Sequence, residues 1–297
     1  MKYTTQTFLD RVAVKAAIPI GQTTFTSSDL LDLANQELQA AVLPEILRTR
    51  EDYYLTDELI TVKGGQELIE MPERAIAGKI NDIQLINSNN NRVSLPRITT
   101  SEIRYTSPSS PNSFYFKGDF VGLNPTPSSD TRLLISYYAR PSALVLPEQT
   151  YRIKLITDDS SDEIYYEVDR PLDTLGSDDQ IDILSGSGLH QVIHKDITID
   201  YIDHNRVYLT NAPDNITVGS YVVPAGQSSF IQCPQELYPW LEELVVTKIH
   251  ESNGDFDAMK LAQEKANLIR EQILSLLTPR AETESQIISN RIWGRFS

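Results

Sequence analysis

The sequence predicts an α+β protein in which a helical bundle, built from N- and C-terminal helices, carries an antiparallel β-domain between them and an acidic β-insertion. Three observations predict this fold class. Apolar residues recur at helical spacing near both ends of the chain, short runs with strand-like alternation lie between them, and acidic residues concentrate in one part of the β-region.

Composition limits the class of protein. The chain has 297 residues, 40% of them hydrophobic and 23% charged, as in globular proteins, so wholesale disorder is excluded. No apolar run approaches the roughly 18 residues of a membrane span, and the opening residues lack the apolar core of a secretory signal. The single cysteine, Cys233, excludes an internal disulfide and a thiolate zinc cage, and it indicates a cytoplasmic, reducing setting.

The formal net charge of −15 argues against a protein that grips phosphates, because such binding depends on Lys and Arg displacing counterions. The same charge is compatible with a surface past which nucleic acid slides. Composition therefore predicts a soluble, acidic, folded protein.

Residues 1–56 are predicted to form the N-terminal helices. A first helix spans about 4–17. The run 26–29 (TSSD) offers N-cap hydroxyls and a first-turn acid for the second helix. Pro44 is expected to kink or restart this second helix. Its apolar face includes Leu31, Ala34, Leu38, Ala41 and Val42.

Residues 57–147 are predicted to form the antiparallel β-domain, because the hydrophobic period drops towards two and Gly, Pro and Asn separate the runs. The predicted strands cover 59–62, 67–71, 80–86, 92–95, 113–117, 120–123 and 132–138.

Residues 148–229 are predicted to be an inserted, acidic, all-β subdomain. Between residues 148 and 214 there are 15 acidic and 5 basic residues, which accounts for −10 of the net charge. Strand-like runs continue at 151–156, 163–168, 181–184, 197–202, 206–209 and 221–223. The alternative is one continuous β-region with a charged outer face.

Residues 230–278 are predicted to be a helical hairpin that completes the bundle with the N-terminal helices. Asn253 and Gly254 end its first helix, and Asp255 opens the second. The expected buried face of the second helix consists of Leu261, Leu268, Ile269, Ile273, Leu276 and Leu277.

Residues 279–297 are predicted to form an extended docking tail. Aromatic residues and Arg are enriched at protein interfaces, and the end of this segment contains two arginines, two aromatic residues and an isoleucine. They are Arg291, Ile292, Trp293, Arg295 and Phe296. We expect them to occupy a groove on a partner; the alternative is that the tail folds back on its own core.

Catalytic and metal-binding patterns are weak in this sequence. His190 and His194 are four residues apart, but Gln191 stands where a helical metalloprotease motif needs Glu, so nearby Asp196, Asp200 and Asp203 would have to complete any site. The acidic runs at 158–163 and 178–179 lack the spacing of a calcium loop. The sequence contains no nucleophile elbow or phosphate-binding loop. We therefore expect no enzyme, cofactor or metal.

An ordered series of segments resembles the head-to-tail adaptor (connector) proteins of tailed bacteriophages. The segments are 30–38 (LLDLANQEL), 43–44 (LP), 50–54 (REDYY), 71–80 (MPERAIAGKI) with Asp82, 114–116 (FYF) with 118–119 (GD), and 134–141 (LISYYARP). The resemblance covers roughly 20–145, with a general match of the closing helices, and the acidic stretch 148–229 departs from the compact members.

The resemblance implies a structural virion protein, assembled in the bacterial host cytoplasm. It implies a ring, typically of twelve copies, that joins the capsid portal to a tail or nozzle protein and surrounds the DNA channel. The C-terminal segment would grip the portal. Another virion component, such as a tail-tube, baseplate or fibre-attachment protein, is the alternative, and a metal or carboxylate enzyme or a cellular globular protein is a more distant one.

A closed ring repeats one heterologous interface around its axis, and helices from both chain ends could supply its two faces. The candidate interface positions on these helices are Leu31, Leu38, Val42, Leu241, Leu244 and Leu268.

Overall fold

The structure is a computed structural model that describes residues 3–18, 24–87, 89–103, 107–158, 164–188, 190–210, 213 and 215–277. Its helices and its predominantly antiparallel strands make an α+β fold, which confirms the predicted class. Within these ranges, none of the helices combines the length and the hydropathy of a membrane span.

Among the described residues, the α-helices lie near the two ends of the chain. They are α1 (Thr5–Lys15), α2 (Ser27–Glu37), α3 (Leu43–Thr49), α4 (Tyr238–Ser252) and α5 (Phe256–Leu277). The predicted start of α2 is confirmed as a reciprocal cap: the Asp29 N–H donates to Thr26 Oγ1 at 3.2 Å, and the Thr26 N–H donates to the Asp29 carboxylate at 2.7 Å. Asp255 likewise caps α5, since its carboxylate accepts from the Ala258 N–H at 3.1 Å.

The irregularity expected near Pro44 is a π-helical turn at Leu38–Val42, which joins α2 to α3. The Leu43 N–H donates to the carbonyl of Leu38, five residues back. Pro44 follows directly in α3 and has no N–H to donate to the preceding turn, and the widened turn lies where this helical bond is missing. The chain therefore stays helical from 27 to 49 through one widened turn.

Helix α4 is the central helix of a layer formed from both chain ends. It contacts α1, α2 and α5, and ten of its fifteen residues are buried. Phe8, Leu31, Trp240, Leu241 and Ala266 belong to the shared apolar core. A helix that is buried on nearly every side needs neighbours on nearly every side, so the two chain ends must meet.

The strands after α3 form two antiparallel sheets that share one core. They are β1 (Leu55–Val62), β2 (Leu68–Glu70), β3 (Ala75–Ile86), β4 (Arg92–Ser94), β5 (Ser113–Lys117), β6 (Phe120–Asn124) and β7 (Thr131–Ala139), followed by the short β8 (Ala143–Leu144). The sheet orders are β1-β7-β3-β4 and β2-β6-β5. Ile83, Leu123 and Ile135 are fully buried between them. Each strand predicted between 57 and 147 is present.

The acidic region forms a closed six-stranded barrel with its own core. Its strands are β9 (Tyr151–Asp158), β10 (Ile164–Val168), β11 (Gln180–Leu184), β12 (Val192–Asp203), β13 (Arg206–Leu209) and β14 (Tyr221–Pro224), in the order β10-β13-β12-β11-β14-β9. Ile153, Ile181 and Val207 fill its interior. The following strand β15 (Gln227–Ser228) pairs in parallel with β8, so the two ends of the acidic region lie side by side.

The predicted buried face of α5 is wrong in part. Ile273 and Leu277 are buried as expected, but Leu261, Leu268 and Leu276 are 68%, 60% and 63% exposed. The side that faces α4 instead uses the small residues Ala262 and Ala266, which let the two helices approach closely. The leucines therefore lie outside the core and form a separate apolar stripe.

We predict that Leu241→Ala on α4 lowers the free energy of unfolding by about 2–5 kcal/mol, because it removes a fully buried side chain from a packed core. The matched change Leu268→Ala on α5 should alter it by no more than about 0.5 kcal/mol. Urea unfolding of dilute protein, followed by circular dichroism, measures both. Equal losses would contradict the outward placement of Leu268.

Candidate functional site

The notable polar features of the described residues are ion-pair clusters, not a catalytic cleft. His190 is buried, its ring stacks on Phe230 with centroids 3.9 Å apart, and its Nδ1 lies 2.8 Å from the Ser185 carbonyl. His194 lies in β12. No group of three or more His, Cys, Asp or Glu side chains in the described part of the chain is placed to hold a metal ion.

The lone thiol is a core side chain. Cys233 is completely buried beside Tyr54 and Tyr238, and burial raises its pKa well above the ordinary thiol value. A thiol that stays protonated is a poor nucleophile.

A salt bridge joins the β1-β7-β3-β4 sheet region to the barrel. Arg74, just before β3, donates from Nη1 and Nη2 to the two carboxylate oxygens of Asp182 at 2.6 and 2.8 Å, and also to Asp196 at 2.7 Å. Asp182 is fully buried and also accepts the N–H groups of Asp196 and Gly226. Burial lowers the pKa of Arg74, but the bonds to these carboxylates outweigh it, so the net shift is upward.

A second cluster ties the same two parts together. Lys195 of β12 donates to the Glu58 carboxylate of β1 and to the Tyr137 hydroxyl of β7. The Tyr137 hydroxyl in turn donates to Glu58 at 3.1 Å. Burial disfavours the Lys195 cation, but the bonds from Glu58 and Tyr137 prevail and raise its pKa. The barrel is therefore held to the sheet by two charged clusters.

The helical layer contains a network around two adjacent glutamates of α4. Glu242 and Glu243 are each about 2% exposed. Lys15 of α1 contacts both carboxylates, at 2.8 and 2.7 Å, and Lys265 of α5 contacts Glu243 at 2.7 Å. Burial raises the pKa of Glu243, but the bonds from Lys15 and Lys265 outweigh it and hold this pKa below its ordinary value. The network links α1, α4 and α5.

Glu45 makes the equivalent connection for α3. Its carboxylate accepts from Arg270 of α5 at 2.9 Å and from Arg48 one turn later in α3. Burial raises the pKa of Glu45, but these two guanidinium groups lower it by more.

The candidate interface positions separate into two groups. Leu31, Leu38, Val42, Leu241 and Leu244 are buried in the helical core of the chain itself, so these side chains cannot line a contact with another copy in this conformation. Leu268 is exposed. For these five residues, the apolar stripe from which an interface was predicted packs the helices of one chain against each other. Interface formation by the helices stays a prediction.

Two outer flanks of the helical layer do carry exposed apolar side chains. On α1, Val14 is 81% exposed. On α5, Leu261, Leu268 and Leu276 follow one another at two-turn intervals and form what we call the α5 stripe. Helix α4 contacts both of these helices, so α1 and α5 each present an outer side away from it.

The predicted docking residues Arg291, Ile292, Trp293, Arg295 and Phe296 lie outside the described residues, as does most of the acidic run at 158–163. The other acidic run is described: the Asp179 carboxylate accepts the Gly176 N–H at 2.7 Å and so closes a turn before β11.

Sequence reasoning missed these four ion-pair clusters. Arg74 and Asp182 are 108 residues apart, and no local pattern connects them. The glutamate pair at 242–243 gave a signal, because two acids interrupt an otherwise apolar helix and a buried acid requires a cation.

Comparison with known families gives the class of protein: a family of phage head-to-tail adaptors matches residues 3–170, more than half of the chain. No curated protein matches the chain. The chain belongs to the family described as SU10 adaptor protein, and the resemblance inferred from the sequence is confirmed.

The matched region differs from the range 20–145 that the sequence motifs indicated. It includes α1–α3, both sheets and the first barrel hairpin, β9–β10. The remaining barrel strands and helices α4 and α5 follow residue 170, so the family match does not include the closing helices.

We predict that Glu243→Gln lowers the free energy of unfolding at pH 7 by about 1–3 kcal/mol, because Lys15 and Lys265 lose a charged acceptor. The folded-state pKa of Glu243 is depressed, so its contribution is present above the ordinary glutamate value and is lost as the pH falls through the depressed one. The difference from wild type should therefore be largest above about pH 5 and shrink on acidification.

Urea unfolding at several pH values measures this effect. Glu264→Gln, the same change at an exposed position of α5, is the control and should leave stability nearly unchanged. A difference that grows on acidification would contradict the assignment.

Proposed function

We propose that the chain is a non-enzymatic adaptor that forms a ring of twelve copies beneath the portal, joins the capsid to a tail or nozzle protein, and surrounds the DNA channel. Membership of a head-to-tail adaptor family is the observation that carries this proposal. On this proposal the protein is a virion component, assembled in the bacterial host cytoplasm.

The two flanks of the helical layer support the ring. A ring needs two different faces on each copy, because its interface is heterologous. Val14 on the α1 side and the α5 stripe on the other are apolar side chains that stay in water in the single chain. We propose that the α5 stripe of one copy packs on the α1 flank of the next, and that the helices form a bundle repeated around the axis.

The tail is proposed to bind the portal. Arg291, Ile292, Trp293, Arg295 and Phe296 combine apolar area with cationic hydrogen-bond donors, the composition of interface anchors. Ordering a peptide segment on a partner has an entropic cost that such buried side chains must exceed.

The charge suits a conduit. Twelve copies at −15 each would carry −180 in total. Wherever part of this charge faces the lumen, it repels DNA within about one Debye length, near 8 Å at physiological salt. DNA would therefore pass without specific binding.

We predict that truncation after Pro279 abolishes co-sedimentation with the portal protein of the same phage, because the docking anchors are removed. The full chain with Trp293→Ala and Phe296→Ala should show most of the same loss, and Ser297→Ala should show none. Unchanged sedimentation of the truncated chain would contradict a docking role for the tail.

We predict that Leu268→Arg lowers the number of copies bound per portal while the tail still binds, because a charge enters the proposed contact between neighbours. Val218→Arg is the matched control, since Val218 is 61% exposed but lies in the barrel region. Quantitative mass measurement of the complexes gives the copy number. A full complement with Leu268→Arg would contradict the flank contact.

A further inference from the structure

Strand β1 has an open edge along its length. It pairs with β7 through eight consecutive residues on one side. Away from β7, the Leu55 N–H donates to the Asp52 carbonyl, and no other described backbone group bonds to the strand. In an antiparallel pair, every second residue directs its N–H and C=O away from the partner strand. Beyond Leu55, the outer side of β1 therefore presents a row of backbone donors and acceptors that no described backbone group satisfies.

The other described strand edges are closed, short, covered or interrupted. The barrel closes on itself and has no edge. At the far side of the same sheet, β4 has only three residues and pairs only with Gln84–Ile86. The earlier part of β3 is irregular, with register shifts in its pairing with β7, and it carries Lys79. In the second sheet, the segment before β5 runs beside it: the Ile98 N–H donates to the Phe114 carbonyl at 2.8 Å, and the Phe114 N–H donates to Pro96 at 3.0 Å. At the opposite edge, β2 has only three residues.

The edge of β1 also lacks three of the features that protect sheet edges: Lys, Pro and a bulge. Natural sheets guard long edges with Lys, Pro or a bulge, because an open edge recruits other strands. Residues 55–62 contain no Lys, Arg or Pro, and the pairing with β7 has no register shift. Leu55 and Leu59 are 40% and 56% exposed on one face, with Asp57 between them.

The charge of this edge selects its occupant. Residues 51–62 contain four acids and no base. Glu58 is paired with Lys195 and Glu51 with Lys79, whereas Asp57 receives a hydrogen bond from Ser136 but has no cationic partner among the described residues. Two copies that met through β1 would bring these acidic segments together, which disfavours a second copy as the occupant.

We propose that β1 is a strand-addition site for an extended, basic segment of another protein. Main-chain bonds to the open edge would supply affinity, and alternate side chains would supply specificity. In such a segment, a central Lys or Arg would lie beside Asp57. Apolar residues two positions before and two positions after it would cover Leu55 and Leu59. This site does not depend on the proposed ring or on the tail.

The probe is a seven-residue peptide with the sequence TVTKTVT, which is added to the full-length protein. We expect saturable binding and slower hydrogen–deuterium exchange at residues 55–62. A peptide N-methylated on alternate amides cannot complete the ladder, and one with glutamate for lysine faces Asp57 with a like charge. Each should bind at least about tenfold more weakly, a change of one decade in Kd.

Two variants locate the site. Leu59→Lys introduces a gatekeeper charge on the edge and should weaken the peptide by about tenfold or more. Val93→Lys changes a similarly exposed residue of β4, at the opposite edge, and should have no effect. The proposal is overturned by absent binding of the parent peptide, by binding that survives N-methylation, or by exchange protection outside β1.

Discussion

The burial of helix α4 on nearly every side is the constraint on which the rest of the architecture depends. Its neighbours come from the first forty residues and from the helix that follows it, so the layer closes only when both ends of the chain meet. The sheets and the barrel are therefore formed by one continuous stretch of chain between α3 and α4. Because α4 takes the central position, α1 and α5 are left with outer sides, and those sides carry the exposed apolar residues.

The buried glutamates explain why this packing has one arrangement. Apolar side chains tolerate small sliding of helices, but Glu242 and Glu243 each need a cation at a fixed place. Lys15 can contact both carboxylates only if α1 crosses α4 at this level, and Lys265 imposes the same condition on α5. Arg270 fixes α5 separately, against Glu45 of α3. The cations remain partly in water, so the network orients the helices without burying a full ion pair.

Local patterns in the sequence predicted local structure well, and long-range pairing much less. The cap at the start of α2, the irregularity at Pro44 and the strands on both sides of residue 147 each depend on neighbouring residues, and the structure contains them. The irregularity, expected as a kink or a restart, is a widened turn. The outward side of α5 was not predicted, because leucines at helical spacing do not reveal which arc meets α4 when alanines can fill that contact. The Arg74–Asp182 pair depends on tertiary topology alone.

The net charge is unevenly distributed along the chain. Residues 148–214 carry −10 of the net −15, whereas the helical segments 1–56 and 230–278 together carry −6 and residues 57–147 are neutral. The barrel region is therefore the most acidic part of the molecule. Arg74–Asp182 and Lys195–Glu58 contact the barrel at two points, and two separated contacts oppose rotation as well as translation. These contacts therefore set the position of the barrel, and with it the location of the acidic surface, within the single chain.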